Sequence, residues 1–199
     1  MDFNFLSTPR IVCESGGLGR IGSLMQDLSC TRALVVTDPG ILACGFADEA
    51  AASLRAAGIE VEIFHKVKAD PPIAVVEAAV EVARAFGADG IIGLGGGSSL
   101  DTAKVIAAAV ANDQPITDMI GINQVTDKRL PLIQVPTTAG TGSEVTWVSV
   151  LTSESHEKKA VYAPQLLPDV ALLDAKLTLG MPRHITAATA LDAMVHAIE

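Results

Sequence analysis

Three stretches of this 199-residue chain combine residue types and spacings that could do chemistry. The first spans residues 90–101, GIIGLGGGSSLD: an apolar run, consecutive glycines, then hydroxyls and a carboxylate entering a helical stretch. Gly95, Gly96 and Gly97 tolerate positive φ and let the backbone come close to a ligand. Ser98 and Ser99 open the helix, where free N–H groups and the positive end of the helix dipole favour an anion. Asp101 is placed to cap that first turn. A pyrophosphate suits such a turn, although a plain tight strand-to-helix connection has the same composition. The glycines follow a later strand rather than the first, so the usual dinucleotide fingerprint does not apply.

The second stretch, residues 135–144 (VPTTAGTGSE), is dense in hydroxyls and glycines. Thr137, Thr138, Thr141 and Ser143 offer hydrogen bonds without charge, which suits a ribose or a phosphate edge; a solvated hairpin loop is the alternative. In the third, Asp192 and His196 lie four apart in a helical run, on one face, so a carboxylate and an imidazole could share a divalent ion. Spacing alone equally fits a helix ion pair, and two donors leave a metal site incomplete. His65, His156 and His184 read as isolated surface or loop residues. Asp38 stands alone after an apolar strand. There it could accept from a ribose 2′-hydroxyl and repel a 2′-phosphate, favouring NAD over NADP; it could also simply start the Asp38-Pro39-Gly40 turn.

These groups must be held by strands and helices that alternate. Residues 32–37, 59–64, 90–94, 131–135 and 170–173 read as short buried strands, and residues 145–151 as extended. Residues 41–57, with Gly58 as C-cap, the run from Pro71-Pro72 to Phe86, and residues 98–111 read as helices. Single helices between buried strands imply parallel β-α-β units in a doubly wound α/β sheet. From Ile185 the pattern is helical with no further strand, so a boundary is expected near Met181-Pro182: an α/β domain over residues 1–182 and the start of a helical, metal-binding domain over residues 183–199.

Composition limits the partners. The chain is 49% hydrophobic and carries a net charge of −9, which argues against disorder, nucleic acid and anionic membrane surfaces. No long apolar run suggests a membrane span. The opening MDFNFLSTPR has no basic region leading into an apolar run, so no export signal and a cytoplasmic location are expected. Cys13, Cys30 and Cys44 form no metal or disulfide spacing and are expected as reduced, partly buried thiols.

The segments GGGSSLDTAK (95–104), PTTAGTGSEVT (136–146), ALLD (171–174) and LDAMVHAIE (191–199) occur in an order that resembles the iron-containing (group III) alcohol dehydrogenases. The resemblance runs through essentially the whole chain. It implies the dehydroquinate-synthase-like fold, with a dinucleotide-binding α/β domain followed by the first helix of an all-α domain. It implies cofactor contacts at Asp38, Gly96, Gly97, Ser98, Asp101, Thr137, Thr138 and Thr141, with Lys158 matching a lysine that reaches the cofactor ribose. Asp70 stands where the family often has Asn before proline, and an ionised Asp cannot donate there. Asp192 and His196 match the first two metal ligands. The family completes that site with two more histidines further along, in chains about twice this length.

The implied activity is interconversion of a small alcohol and its aldehyde or ketone with NAD, a divalent metal (iron favoured over zinc) acting as Lewis acid. A homodimer or other homo-oligomer is expected. Two alternatives stand beside it: a non-catalytic cofactor-binding module, and a lyase of the dehydroquinate synthase kind, against which the threonine-rich loop argues.

Overall fold

The computed structural model describes residues 6–198. A six-stranded, wholly parallel sheet forms the centre, in the order β1-β9-β6-β4-β2-β3. Its strands are β1 (Arg10–Cys13), β2 (Arg32–Val36), β3 (Glu60–Phe64), β4 (Gly90–Gly95), β6 (Leu132–Pro136) and β9 (Val170–Leu173). Parallel neighbours need crossovers, and the helices supply them. These are α1 (Ile21–Asp27), α2 (Pro39–Ala43), α3 (Phe46–Ala56), α4 (Ile73–Phe86) and α5 (Gly97–Asn112), with a short α6 (Ile116–Met119). A smaller sheet packs β5 (Gly121–Ile122) parallel to β8 (Lys158–Tyr162), with β7 (Val148–Thr152) antiparallel on its other side. The described chain closes with α7 (Arg183–Ile198).

Both faces of the sheet are covered, which is why its inner strands β2, β4, β6 and β9 read as near-continuous apolar runs, while the edge strands β1 and β3 keep exposed positions. The two-residue period still sorts them. Leu34, Val36 and Ile91 pack with residues of α4 and α5 on one side, while Ala33, Val35, Ile92, Leu94, Ile133 and Val135 pack with α1 and α3 on the other. Small residues set the layer spacing. A Cβ on Gly90 would stand 2.3 Å from the Met25 terminal methyl, and one on Gly93 would stand 2.6 Å from Gln134 Oε1.

The helix expected over residues 41–57 is two helices. Gly45 adopts φ 81 between α2 and α3, a left-handed conformation that a glycine enters without the Cβ clash. The extended stretch expected from Val145 begins instead with a 3-10 turn, Ser143–Val145, and becomes a strand at Val148. Strand β1 escaped the sequence reading because it is an edge strand with an exposed RIVC sequence and no buried run. Helix α1 and the small sheet's β5 and β8 were missed as well. Helix α7 buries none of its residues; Leu191, Met194, Val195 and Ile198 are exposed along it. Cys30 is buried, whereas Cys13 and Cys44 are exposed, and all three are free. Burial, then the charges of Asp89 and Asp169, push the Cys30 thiol up to about 12, so it stays protonated and inert.

Asp174 ties the last strand of the sheet to the first turn of the chain. Its carboxylate accepts from the backbone N–H groups of Gly16 at 2.9 Å, Leu18 at 3.2 Å and Lys176 at 3.0 Å. Burial alone would raise its pKa, but these donors outweigh it and hold the group below its ordinary value. A carboxylate with a lowered folded-state pKa contributes stability in full above its unfolded value and loses it as pH falls through the folded one. The urea midpoint of Asp174→Asn should therefore lie below that of the wild type at pH 7. The gap should close as pH drops below about 4; a gap independent of pH would contradict the assignment.

Candidate functional site

Four strands of the central sheet, β6, β4, β2 and β3, end side by side, and the segments leaving their carboxyl ends meet around one cleft of about 710 Å³. Asp38 lines it from beyond β2, Lys68 and Ala69 from beyond β3, Gly96, Gly97, Ser98 and Ser99 from beyond β4, and Thr137 and Thr138 from beyond β6. Its far wall is made of Gly180, Met181, Pro182 and Ile185, the connection into α7. The glycine turn, Asp38 and the threonine loop, proposed from separate parts of the sequence, thus share one cavity.

The glycine turn is fixed by close approach. Gly95 has φ 149, and a Cβ there would stand 2.7 Å from Ser99 Oγ. Thr137 N–H donates to Gly95 O at 2.9 Å, extending the pairing of β6 with β4. Ser99 and Leu100 N–H groups turn back onto Gly96 O, leaving those of Gly97 and Ser98 at the open end of a sixteen-residue helix. A Cβ on Gly97 would press on Thr141 Cγ2 at 3.0 Å, so the loop closes against the turn.

Of the two roles its sequence context allowed, Asp38 fills the turn-starting one. Its Oδ1 accepts from Gly40 N–H at 2.8 Å and Ile41 N–H at 3.1 Å and so caps α2. Its Oδ2 lies 3.5 Å from Ser99 Oγ, on the glycine-turn side.

Asp101 does not cap its own helix. Its carboxylate accepts from Ser143 Oγ at 2.6 Å and from Val150 N–H at 2.9 Å, fastening α5 to the end of the threonine loop and to β7. Beside it is a residue the sequence reading passed over. Lys104 is fully buried, donates to Val148 O at 2.8 Å and to Thr146 Oγ1 at 3.3 Å, and has its ammonium 3.6 Å from Asp101 Oδ1. Burial pushes the Lys104 pKa down to about 8, with Asp101 opposing the shift. Its sequence signal was the i,i+3 spacing of Asp101 and Lys104 just before the wholly apolar stretch 105–111 of the same helix.

Asp70 and Lys158 do not line the cleft. They pair with each other at 2.6 Å, both exposed, and Asp70 holds φ 50 just beyond Ala69. Such an exposed pair contributes little to stability. Asp192 and His196 share the predicted face of α7, with Oδ1 and Nε2 4.0 Å apart and both side chains about half exposed. Among the described residues, no group of three His, Cys, Asp or Glu side chains gathers to hold one metal ion. The glycine loop does reach this helix, since a Cβ on Gly140 would stand 2.3 Å from Thr189 O, one turn before Asp192.

The residues fit a dinucleotide. Thr138 Oγ1 is buried without a hydrogen-bond partner, and a hydroxyl in that state calls for a ligand or an ordered water. The bare backbone at Gly96 and Gly97 leaves the open end of α5 accessible. For a metal, Asp192 and His196 provide a carboxylate and an imidazole, which is half of a four-coordinate set.

The profile of the iron-containing alcohol dehydrogenases matches residues 8–175. The sulfoacetaldehyde reductase of Bilophila wadsworthia is 39% identical over 200 aligned positions, covering all of this chain and 52% of its own length. The crystal structure of a 1,3-propanediol oxidoreductase superposes with a TM-score of 0.96 at 36% identity, over the whole of this chain and 52% of that one. A sulfoacetaldehyde reductase from Bifidobacterium kashiwanohense, solved in complex with NAD+, gives 0.92 at 31% identity, over the whole of this chain and 53% of that one. The chain belongs to the iron-containing alcohol dehydrogenase family, and it spans about half the length of the relatives it matches.

Replacing Asp101 by Ala should cost about 3–5 kcal/mol, because the change strands the buried Lys104 ammonium without its counter-charge. Chemical denaturation at pH 7 measures this; a cost under about 1 kcal/mol, typical of an exposed pair, would contradict the account.

Proposed function

We propose that this chain holds NAD or NADH across the carboxyl edge of its sheet, as the cofactor-binding half of an oxidoreductase that interconverts a small alcohol and its aldehyde or ketone. The observation that carries the reading is the convergence of the open α5 N-terminus, Asp38 (whose Oδ2 is held only by a long 3.5 Å contact from Ser99 Oγ) and the unpartnered Thr138 hydroxyl on one cleft. In this reading the N–H groups of Gly97 and Ser98 hold the pyrophosphate, whose charge also suits the helix dipole. Asp38 Oδ2 accepts from the adenosine ribose, its Oδ1 being spent on α2. Thr137 and Thr138 orient the nicotinamide half toward α7. Asp101 and Thr141 act from behind, by keeping the threonine loop against the glycine turn. Lys158 and Asp70 would have to separate before either reached a ribose.

Asp192 and His196 are the residues that would hold a divalent ion, with iron preferred from the family, together with donors outside the described residues. When bound, such an ion supplies Lewis-acid polarisation of the substrate oxygen. Hydride transfer belongs to the nicotinamide; the chain's part is to place it and to exclude water from the cleft.

Titration of the 199-residue chain with NADH, followed by fluorescence or calorimetry, tests the reading. Gly97→Val, which pushes a branched side chain into Thr141 and over the helix terminus, should weaken binding by at least about tenfold. Binding without turnover would favour a cofactor-binding module on its own; no binding by the wild type would sink the proposal. In a full-length protein that supplies the remaining donors, Asp192→Ala and His196→Ala should each lower the divalent-metal content while leaving NADH affinity within about twofold, since neither residue lines the cleft. Unchanged metal content would refute the ligand assignment.

A further inference from the structure

The cleft wall carries one charged group that neither the sequence reading nor the cofactor assignment used. Among the lining residues only Asp38 and Lys68 are charged. Their neighbourhood is set by backbone pairing. Beyond the β2–β3 ladder, Thr37 N–H donates to Phe64 O at 2.8 Å, and Val67 N–H donates back to Thr37 O at 3.3 Å. Asp38 follows Thr37 and Lys68 follows Val67, so the carboxylate and the ammonium leave adjacent tracks at the same sheet edge. Lys68 is exposed and forms no ion pair within 4.0 Å among the described residues. Asp38 is committed on one oxygen to the N–H groups of Gly40 and Ile41. The cation is therefore available to a ligand, next to the one carboxylate that would repel an anionic one.

The strand order gives Lys68 a definite place along a bound dinucleotide. The sequence β6, β4, β2, β3 lays out the threonine loop, the pyrophosphate turn, Asp38 and then Lys68. With the adenosine ribose at Asp38, the next strand position outward is that of Lys68, about 4.8 Å further along the edge. A phosphate on the 2′-oxygen would extend from the ribose into this position.

We infer that Lys68 is a specificity-determining residue that admits a 2′-phosphorylated dinucleotide by offsetting the repulsion from Asp38. The inference rests on the cofactor reading above. It makes nucleotide selectivity a balance between two opposite charges, where Asp38 alone would exclude the phosphate. An ammonium is a compact charge that engages phosphate without needing a fixed fork geometry.

The test is calorimetric titration of the 199-residue chain with NADH and with NADPH, for the wild type, Lys68→Gln and Lys68→Arg. Lys68→Gln should raise the ratio of the NADPH Kd to the NADH Kd by about five- to tenfold, as expected for one lost charge-assisted contact. Lys68→Arg should keep the wild-type ratio, and raising the salt from 50 to 300 mM should narrow the difference between wild type and Lys68→Gln. A ratio unchanged in Lys68→Gln overturns the inference, as does wild type that binds NADH but not NADPH at millimolar concentration. Wild type that binds neither nucleotide overturns the cofactor reading and this inference with it.

Discussion

Backbone hydrogen bonds hold β6, β4, β2 and β3 in one parallel register, with Gly95 opposite Pro136 and Val36 opposite both Gly93 and Phe64. Because the strands are parallel, their carboxyl ends fall on the same edge, and the segments that leave them must share one crevice. An antiparallel sheet would have sent every second connection to the far side. The cleft is a consequence of that ladder. Its floor is the glycine turn after β4, where Gly95 leaves room for Ser99, and its walls are the segments after the neighbouring strands.

A second constraint decides how rigid the walls are. The threonine loop is rich in glycine and hydroxyl residues and has no large apolar side chain over residues 137–144, the composition of a mobile segment. Asp101 and Lys104 counter this from one face of α5. Between them they engage Ser143, Thr146, Val148 and Val150, so the helix that offers its open N-terminus to the cleft also anchors the loop opposite it. Burying an ammonium is unfavourable, as the lowered Lys104 pKa records, and the site retains it because a hydroxyl and a carbonyl accept its hydrogen bonds and a carboxylate stands 3.6 Å away as counter-charge. Gly140 extends the same body to α7 through its contact with Thr189. The helix with Asp192 and His196 thus rests on the loop that faces the cleft, although α7 itself is largely exposed.

Much of this was legible from residue types and periods. Short, largely apolar runs of four to six residues marked β2, β4, β6 and β9, and the 3.6-residue period with Gly87 marked α4, because burial on both faces writes itself into composition. Exposed or short elements left no such trace: β1 shows mostly polar or exposed positions, and the break at Gly45 looked like an ordinary position in a helical pattern. At the site, the glycine turn and the pairing of Asp192 with His196 on one face follow from local geometry alone.

The sequence by itself determined the parallel α/β class, an open helix terminus just after the glycine turn and the family, since each rests on neighbours along the chain or on whole segments in order. Only the tertiary structure decided what distant side chains do to one another. It turned Asp101 away from its own helix end toward Ser143 and Val150, and it buried Lys104. It paired Asp70 with Lys158 outside the cleft, left Thr138 Oγ1 without a partner, and set Lys68 beside Asp38. The physical reason is range. Caps, turns and helix faces are fixed within a few residues, whereas ion pairs, burial and cavity walls depend on which strands lie side by side, and β-sheet order is set by long-range packing.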